Sequence, residues 1–325
     1  MPKIVAVDTD FEDNAIEEQM AADAGIEFAA TSGRDVDAVI RGILETGADG
    51  AITSYSLFPR EVFEACPNLK VVSRTGVGYD EIDVEAATDH GCAVCNVPGY
   101  GTEVVSDHAI TLALSALRRI NELDADMRKG IWDYARTRPL GQCHGRTFGV
   151  VGMGEIGRAA AKKAAGLSFE VVCWSRSLKP GRRTPEGYPI LPLDELLAKA
   201  DVVSIHTALT PDTHHLIDAR RLALMKDDAV IVNTARGAVI DTVALAETLK
   251  AGKLWGAGLD VFEEEQPFDF NHPIMSAPHT VLSAHAAYWS EESGRELRQR
   301  TMQAAIDAVS GRVPVDCLNP QVFAK

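Results

Sequence analysis

Thr147-Phe148-Gly149-Val150-Val151-Gly152-Met153-Gly154-Glu155-Ile156-Gly157 joins two kinds of pattern. Residues 147–151 suit a buried strand, and 158–165 repeat small and apolar residues at helical spacing. A Gly-x-Gly-x-x-Gly alone is weak, because glycines collect in many turns. Between a strand and a helix it has the context in which such a loop holds a dinucleotide. Gly152 then permits the tight turn, Gly154 lets a pyrophosphate approach the backbone, and Gly157 lets helix and strand pack closely. Glu155 and Ile156 complete the loop, where N–H groups and the positive end of the helix dipole favour a diphosphate. The plain alternative is a tight turn with no ligand.

The next strand, 170–174, ends where an acid about twenty residues after the first glycine would bind the adenosine ribose of NAD. Ser175 and Arg176 stand there instead, followed by Lys179, Arg182 and Arg183 with no acid among them. A hydroxyl and a guanidinium suit a 2′-phosphate, which a carboxylate would repel. The expected coenzyme is therefore NADP, with NAD possible; the rival reading is a solvated basic loop. Thr207 and Thr234, directly after the strands expected at 202–206 and 229–233, complete the expected cofactor contacts.

On either side of this unit, short β-branched runs alternate with helical patterns. Strands are expected at 4–7, 26–29, 50–53, 70–73 and 93–96, with helices between them. A Pro/Gly cluster at 96–101 reads as a linker, and 103–128 as one long helix. A second series has strands at 147–151, 170–174, 202–206, 229–233, 256–261 and 280–283, closed by a helix over 291–309. Such alternation implies parallel sheets with right-handed crossovers. The expected fold class is α/β, two doubly wound parallel-sheet domains.

Composition narrows the function. The chain has 325 residues, 46% hydrophobic and 24% charged, ordinary globular proportions with room for two domains. Lys and Arg number 32 against 47 Asp and Glu, a formal charge of −15, which argues against nucleic-acid binding. No apolar run is long enough for a membrane span and no signal peptide is evident, so a cytoplasmic location is expected. Six cysteines, at 66, 92, 95, 143, 173 and 317, read as reduced and mostly buried. Cys92-Ala-Val-Cys95 lies on a strand, where the two thiols point to opposite faces and suit neither a metal nor a mutual disulfide. No metal site is expected.

Three segments follow strand ends: Asn233-Thr234-Ala235-Arg236-Gly237, Leu259-Asp260-Val261-Phe262 with Glu265 beyond it, and Ser283-Ala284-His285-Ala286-Ala287. With the glycine loop and Arg74-Thr75-Gly76-Val77-Gly78-Tyr79-Asp80, they resemble the hallmarks of the D-2-hydroxyacid dehydrogenase family, in order along nearly the whole chain. Residues 282–292 and Phe268-Asp269-Phe270 look most like the C-terminal-binding proteins, dehydrogenases used as NAD(H)-responsive corepressors. The Cys173-Trp174-Ser175-Arg176-Ser177 run is instead similar to NADPH-using glyoxylate/hydroxypyruvate reductases.

The resemblance implies a flavodoxin-like substrate domain, 1–101 plus 288–325, and a Rossmann cofactor domain, 102–287. It also implies a homodimer built on the 103–128 helix and the arm to Arg138. The expected activity is hydride transfer between NADP(H) or NAD(H) and a 2-keto or D-2-hydroxy acid. Phosphoglycerate dehydrogenase and a nucleotide-sensing corepressor-like binding protein are the rivals.

Chemistry gives each matched residue a task. Arg236 offers a permanently charged fork for the substrate carboxylate. His285 is the candidate proton donor, since imidazole titrates near neutrality, and Glu265 would hold its tautomer. By resemblance, Asp260 contacts the nicotinamide side and the Val77 and Gly78 amides bind the carboxylate. Tyr288 is expected to line the substrate site, favouring an apolar or extended keto acid. Glu263 and Glu264 read as solvated neighbours, His214 and His215 as loop residues without a role, and Arg74 is open between surface, hinge and substrate-side positions.

Overall fold

All eleven expected strands form, each within a residue or two of the expected ends, and all pair in parallel. The structure is a computed structural model that describes residues 1–265 and 267–324. It divides into two units, Met1–Tyr100 with Ser290–Lys325, and Gly101–Trp289.

In the first unit, β1 (Lys3–Ala6), β2 (Glu27–Ala30), β3 (Gly50–Thr53), β4 (Val71–Arg74) and β5 (Ala93–Cys95) alternate with four helices. These are α1 (Ala15–Ala24), α2 (Val36–Thr46), α3 (Arg60–Ala65) and α4 (Val84–Asp89). The order β2-β1-β3-β4-β5 is the flavodoxin-like doubly wound arrangement, with β5 at one edge.

The second unit opens with α5 (Thr102–Arg118) and α6 (Ile120–Arg128). Then follow β6 (Thr147–Val151), α7 (Glu155–Gly166), β7 (Glu170–Trp174), α8 (Leu193–Lys199), β8 (Val202–Ile205), α9 (Ala219–Leu222) and β9 (Val230–Asn233). The unit ends with α10 (Thr242–Lys250), β10 (Gly256–Leu259) and β11 (Thr280–Leu282). Its sheet runs β11-β10-β9-β8-β6-β7, so the chain leaves β6 on one side for β7 and on the other for β8. A ligand of an open parallel sheet binds at that reversal, outside the carboxyl ends of the strands.

Strand alternation explains the layers. Phe148, Val150, Val202 and Val230 pack with Leu112 and Leu117 of α5 on one face. Val151, Val203, Ile205 and Ile231 pack with Leu196, Leu197 and Leu245 on the other. Burying each such side chain is worth roughly 1.5–3 kcal/mol, which fixes the register of β6 and so the position of the loop that follows it. α11 (Glu291–Val309) belongs to the first unit, where Met302 and Ile306 pack with Ile4, Ile52 and Val71. Ser290 caps it, its hydroxyl accepting the Ser293 N–H at 3.1 Å.

The single helix expected over 103–128 is two. Arg119 adopts φ 50° between α5 and α6, its guanidinium 3.8 Å over the Trp255 ring. Arginine is a good helix former, so composition carries no signal of this break; a contact distant in sequence sets it. The helix expected from 158 starts earlier, at Glu155, because Gly154 takes extended geometry at its N-cap.

Candidate active site

The glycines after β6 have different reasons to be there. Gly152 has φ 105°, and a Cβ on it would lie 2.6 Å from the His206 carbonyl carbon. A Cβ on Gly157 would lie 1.9 Å from Gly152 O, so this glycine lets α7 close on the loop. Gly154 has φ −73°, open to any residue, and a Cβ there would meet no neighbouring atom within 4 Å. Nothing in the packing demands glycine at 154. The space beside it is a cradle at the start of α7, where the Glu155, Ile156 and Gly157 N–H groups have no carbonyl within the helix to bond. A dinucleotide diphosphate fits that cradle.

The other expected cofactor residues stand around it. The His206–Thr207 backbone closes against Gly152 at the end of β8. The Thr234 hydroxyl, after β9, is buried with no hydrogen-bond partner among the described residues. The His206 Nδ1 is likewise buried and unpartnered, and burial pushes this imidazole down to about 4. Ser175 and Arg176 follow β7 directly; Arg176 is exposed and meets Asp212 at 3.3 Å. Arg183 donates to Gly187 O at 2.6 Å, while Lys179 and Arg182 are exposed.

The catalytic candidates ride on the ends of the neighbouring strands β9, β10 and β11. Asn233 clamps the loop after β9, accepting the Ala235 N–H at 3.0 Å and donating to Arg236 O at 2.9 Å. Arg236 is half-buried and one guanidinium N–H donates to Ala235 O at 2.9 Å. A Cβ on Gly237 would lie 1.9 Å from the Phe262 carbonyl carbon, so the Arg236 loop is pressed against the segment after β10. Glu265, on that segment, accepts the Phe262 N–H at 3.1 Å through Oε1 and meets His285 Nδ1 at 2.6 Å through Oε2. With Nδ1 turned to the carboxylate, proton exchange with a substrate would fall to Nε2.

His285 has φ 50°, a left-handed conformation uncommon for a residue with a side chain. Asp260 holds it there. Its carbonyl accepts the His285 N–H at 2.7 Å, and its fully buried carboxylate takes Ser283 Oγ–H at 2.5 Å and the Ala286 and Ala287 N–H groups at 2.9 Å each. Burial alone would raise this carboxyl, but bonds from His108, Ser283, Ala287 and Ala286 hold it down to about 2. Asp260 thus sets the turn that presents the imidazole. The Tyr288 ring stands edge-on to His285, with centroids 6.0 Å apart.

The sequence did not point to His108, whose Nε2 lies 2.9 Å from Ser283 Oγ and 3.4 Å from Asp260 Oδ1. It sits in a helical pattern, and its partners are far along the chain. Two readings need correction. Glu263 is not merely solvated: it accepts from Thr242 N–H at 3.0 Å, Thr242 Oγ1–H at 2.6 Å and His215 Nε2 at 2.8 Å, anchoring the start of α10. That also gives His215, stacked on His214 at 4.1 Å, a structural task. In the first unit Arg74 is buried, its Nη1 donating to Thr75 O at 2.7 Å, so the surface reading falls away. Val77 and Gly78 follow on this loop; the Val77 carbonyl accepts Asn96 Nδ2–H at 2.6 Å.

A parallel-sheet domain with a glycine-lined loop at its strand reversal, and an arginine and a carboxylate-held histidine at neighbouring strand ends, has the parts that a nicotinamide-dependent dehydrogenase needs. Residues 110–287 match the model of the D-isomer specific 2-hydroxyacid dehydrogenase NAD-binding domain. A glyoxylate reductase of Korarchaeum cryptofilum is 40% identical over 265 residues, covering 81% of this chain and 80% of that protein. An acyclic imino acid reductase in complex with NADPH and D-Arg is similar at TM-score 0.86 and 26% identity, over 97% of this chain and 99% of the other. A D-lactate dehydrogenase from Aquifex aeolicus complexed with NAD and lactic acid is similar at TM-score 0.86 and 27% identity, over 98% and 99%. The chain belongs to the D-2-hydroxyacid dehydrogenase family. It is an NAD(P)-dependent oxidoreductase of 2-keto and 2-hydroxy acids. No helix among the described residues is long and apolar enough to cross a membrane.

Proposed function

We propose that this enzyme is an NADP(H)-preferring 2-keto acid reductase in which His285 protonates the substrate carbonyl, Glu265 orients His285, and Arg236 holds the substrate carboxylate. The observation that carries this reading is the Glu265–His285 hydrogen bond of 2.6 Å, built on a strained backbone at His285. The nicotinamide coenzyme supplies the hydride to C2 when bound; Gly152, Gly154, Glu155, Ile156 and Gly157 would hold its diphosphate, with Thr207 and Thr234 beside it. Arg236 binds the carboxylate bidentately and draws charge from the adjacent carbonyl. His285 donates its Nε2 proton to the carbonyl oxygen as charge develops there, and Glu265 stabilises the ring without taking the proton. Asp260 positions His285 through the 283–287 turn.

The coenzyme preference rests on Ser175 and Arg176. The Arg176–Asp212 pair is exposed, and such a pair contributes at most about 1 kcal/mol, so a 2′-phosphate competes readily for the guanidinium. The relatives named glyoxylate reductase favour a small keto acid. The Tyr288 ring edge beside His285 favours a second reading, an apolar or extended keto acid. Turnover on glyoxylate, hydroxypyruvate and branched 2-keto acids with NADPH ranks the two, and no coenzyme oxidation with any of them would end the reductase reading.

We also place the enzyme in the cytoplasm as a homodimer. Ile120 and Met127 of α6, each 53% exposed, and Trp132 and Tyr134 of the following arm, 88% and 66%, support the dimer, since exposed apolar groups of this size mark association surfaces. Light scattering after size exclusion tests it, and a monomer at micromolar concentration is the contrary result.

A further inference from the structure

The strand pleat separates the Cys-x-x-Cys of the sequence. Cys92 packs with Val62 and Phe63 in the core on one face of the first unit's sheet, and Cys95 with Met302 and Ile306 in the core on the other. The fold instead gives Cys95 a partner from the tail beyond α11. The Asn96 N–H donates to Asp316 O at 3.4 Å and the Leu318 N–H to Val94 O at 2.8 Å, so the tail lies antiparallel along edge strand β5. Cys95 and Cys317 are the residues directly opposite each other, flanked by those two bonds. That is the non-hydrogen-bonded antiparallel position, where Cα atoms stand about 4.5 Å apart and side chains share a face. Disulfides span Cα separations of roughly 4.4–6.8 Å, so the backbone is already in reach.

We propose that Cys95 and Cys317 form an oxidisable dithiol that closes to an intrachain disulfide, fastening the C-terminal tail to β5.

The surroundings assign the two thiols different parts. Cys317 is half-buried and reachable from solvent, whereas Cys95 is wholly buried. The facing thiols act on each other in opposite senses: the Cys95 thiol lowers Cys317 despite burial, and Cys317 together with burial raises Cys95, while Cys317 Sγ–H donates to Asn319 Oδ1 at 3.6 Å. Cys317 is therefore the attacking thiolate. With a low-molecular-weight disulfide of the glutathione type as oxidant, Cys317 Sγ bonds to one sulfur and the S–S bond breaks, releasing one thiolate that takes up the Cys317 proton. Cys95, losing its proton, then attacks Cys317 Sγ and expels the second thiolate, which takes up that proton. Two cysteine thiols are oxidised and one small disulfide is reduced to two thiols. The second step is intramolecular, so Cys95 never has to meet the oxidant.

The neighbourhood is built to keep the pair in register. Asn319 Oδ1 accepts the Val94 N–H at 2.7 Å, and its Nδ2 donates to Thr88 Oγ1 and Cys92 O at 2.9 Å each. Among the described residues no group of three or more His, Cys, Asp or Glu is placed to hold a metal ion.

The test is thiol mapping of the full chain equilibrated in glutathione buffers of increasing oxidised fraction, quenched by alkylation and digested with trypsin. The expected result is loss of two of the six free thiols and a single crosslink joining the peptide ending at Arg118 to the one beginning at Val313. The crosslink should vanish in C95S and C317S, persist in C92A, and reverse with dithiothreitol. C317S is decisive if C95S folds poorly, because Cys317 is outside the deepest core. A protein that keeps all six thiols, stops at a glutathione adduct on Cys317, or crosslinks through Cys92 would overturn the proposal.

Discussion

Replacing Gly154 with alanine separates glycines required by packing from the one reserved for a ligand. The new methyl meets no neighbouring atom within 4 Å and the backbone at φ −73° accepts it. The only structural cost is a poorer N-cap for α7, about 1 kcal/mol, or a melting temperature lower by roughly 2–4 °C for a unit of this size. The same methyl occupies the path of the diphosphate toward the first-turn N–H groups. Losing one charge-assisted hydrogen bond there costs about 1.5–3 kcal/mol, a roughly 10- to 100-fold weaker Kd. Gly152→Ala and Gly157→Ala should behave oppositely, since their methyls would sit 2.6 Å and 1.9 Å from backbone atoms and destabilise the fold first. Calorimetric titration of NADPH and NADH, with a thermal melt of each variant, reads both quantities. A Gly154→Ala protein that binds either coenzyme with unchanged affinity would show that the diphosphate does not lie against this loop.

Arg236→Ala should raise KM and lower kcat together, because the same guanidinium serves ground and transition states; steady-state kinetics with an unchanged coenzyme Kd checks this. Ser175→Asp with Arg176→Ala should erase or reverse an NADPH advantage of about ten- to a hundredfold in kcat/KM, and an unmodified enzyme that prefers NADH would reduce the basic run to a solvated loop. Asp260→Asn turns an amide NH2 toward groups that donated to the carboxylate, Ser283 Oγ–H or the Ala287 N–H, and should destabilise by roughly 1–3 kcal/mol, seen in urea unfolding. The buried His206, lowered from 6.5 to about 4, binds its proton in the unfolded chain before the folded one. Stability should therefore be complete above pH 6.5 and fall by roughly 3 kcal/mol as pH drops toward 4, a slope that His206→Asn should flatten in pH-dependent melts.

The architecture was legible because parallel strands buried on both faces read as apolar runs, and each run here is bounded by turn residues. Val150-Val151 and Val202-Val203 signal strands without help from any partner. The break at Arg119 was not legible, since a guanidinium stacked on Trp255 leaves no mark on local periodicity. In the site, Arg236, Glu265 and His285 could be named from motifs, but the work of Asp260 could not. Its four donors come from two distant segments, so only the fold shows that this carboxylate shapes the 283–287 turn. Glu263 beside Glu265 makes the same point: adjacent acids of one run face different partners. The cysteines are the sharpest case, because spacing proposes Cys92 with Cys95 while strand pairing delivers Cys95 with Cys317.

Single-turnover and steady-state reduction of a 2-keto acid by His285→Ala, measured beside the unmodified enzyme, bears on the proton donor itself. Positioned proton transfer is typically worth about 10²–10⁴ in rate. The expected result is a kcat lower by that factor, a coenzyme Kd within twofold of the original, and a smaller but parallel loss in Glu265→Gln. A His285→Ala enzyme that turns over at the original rate would contradict the assignment of His285, and with it the role given to the 2.6 Å Glu265 contact.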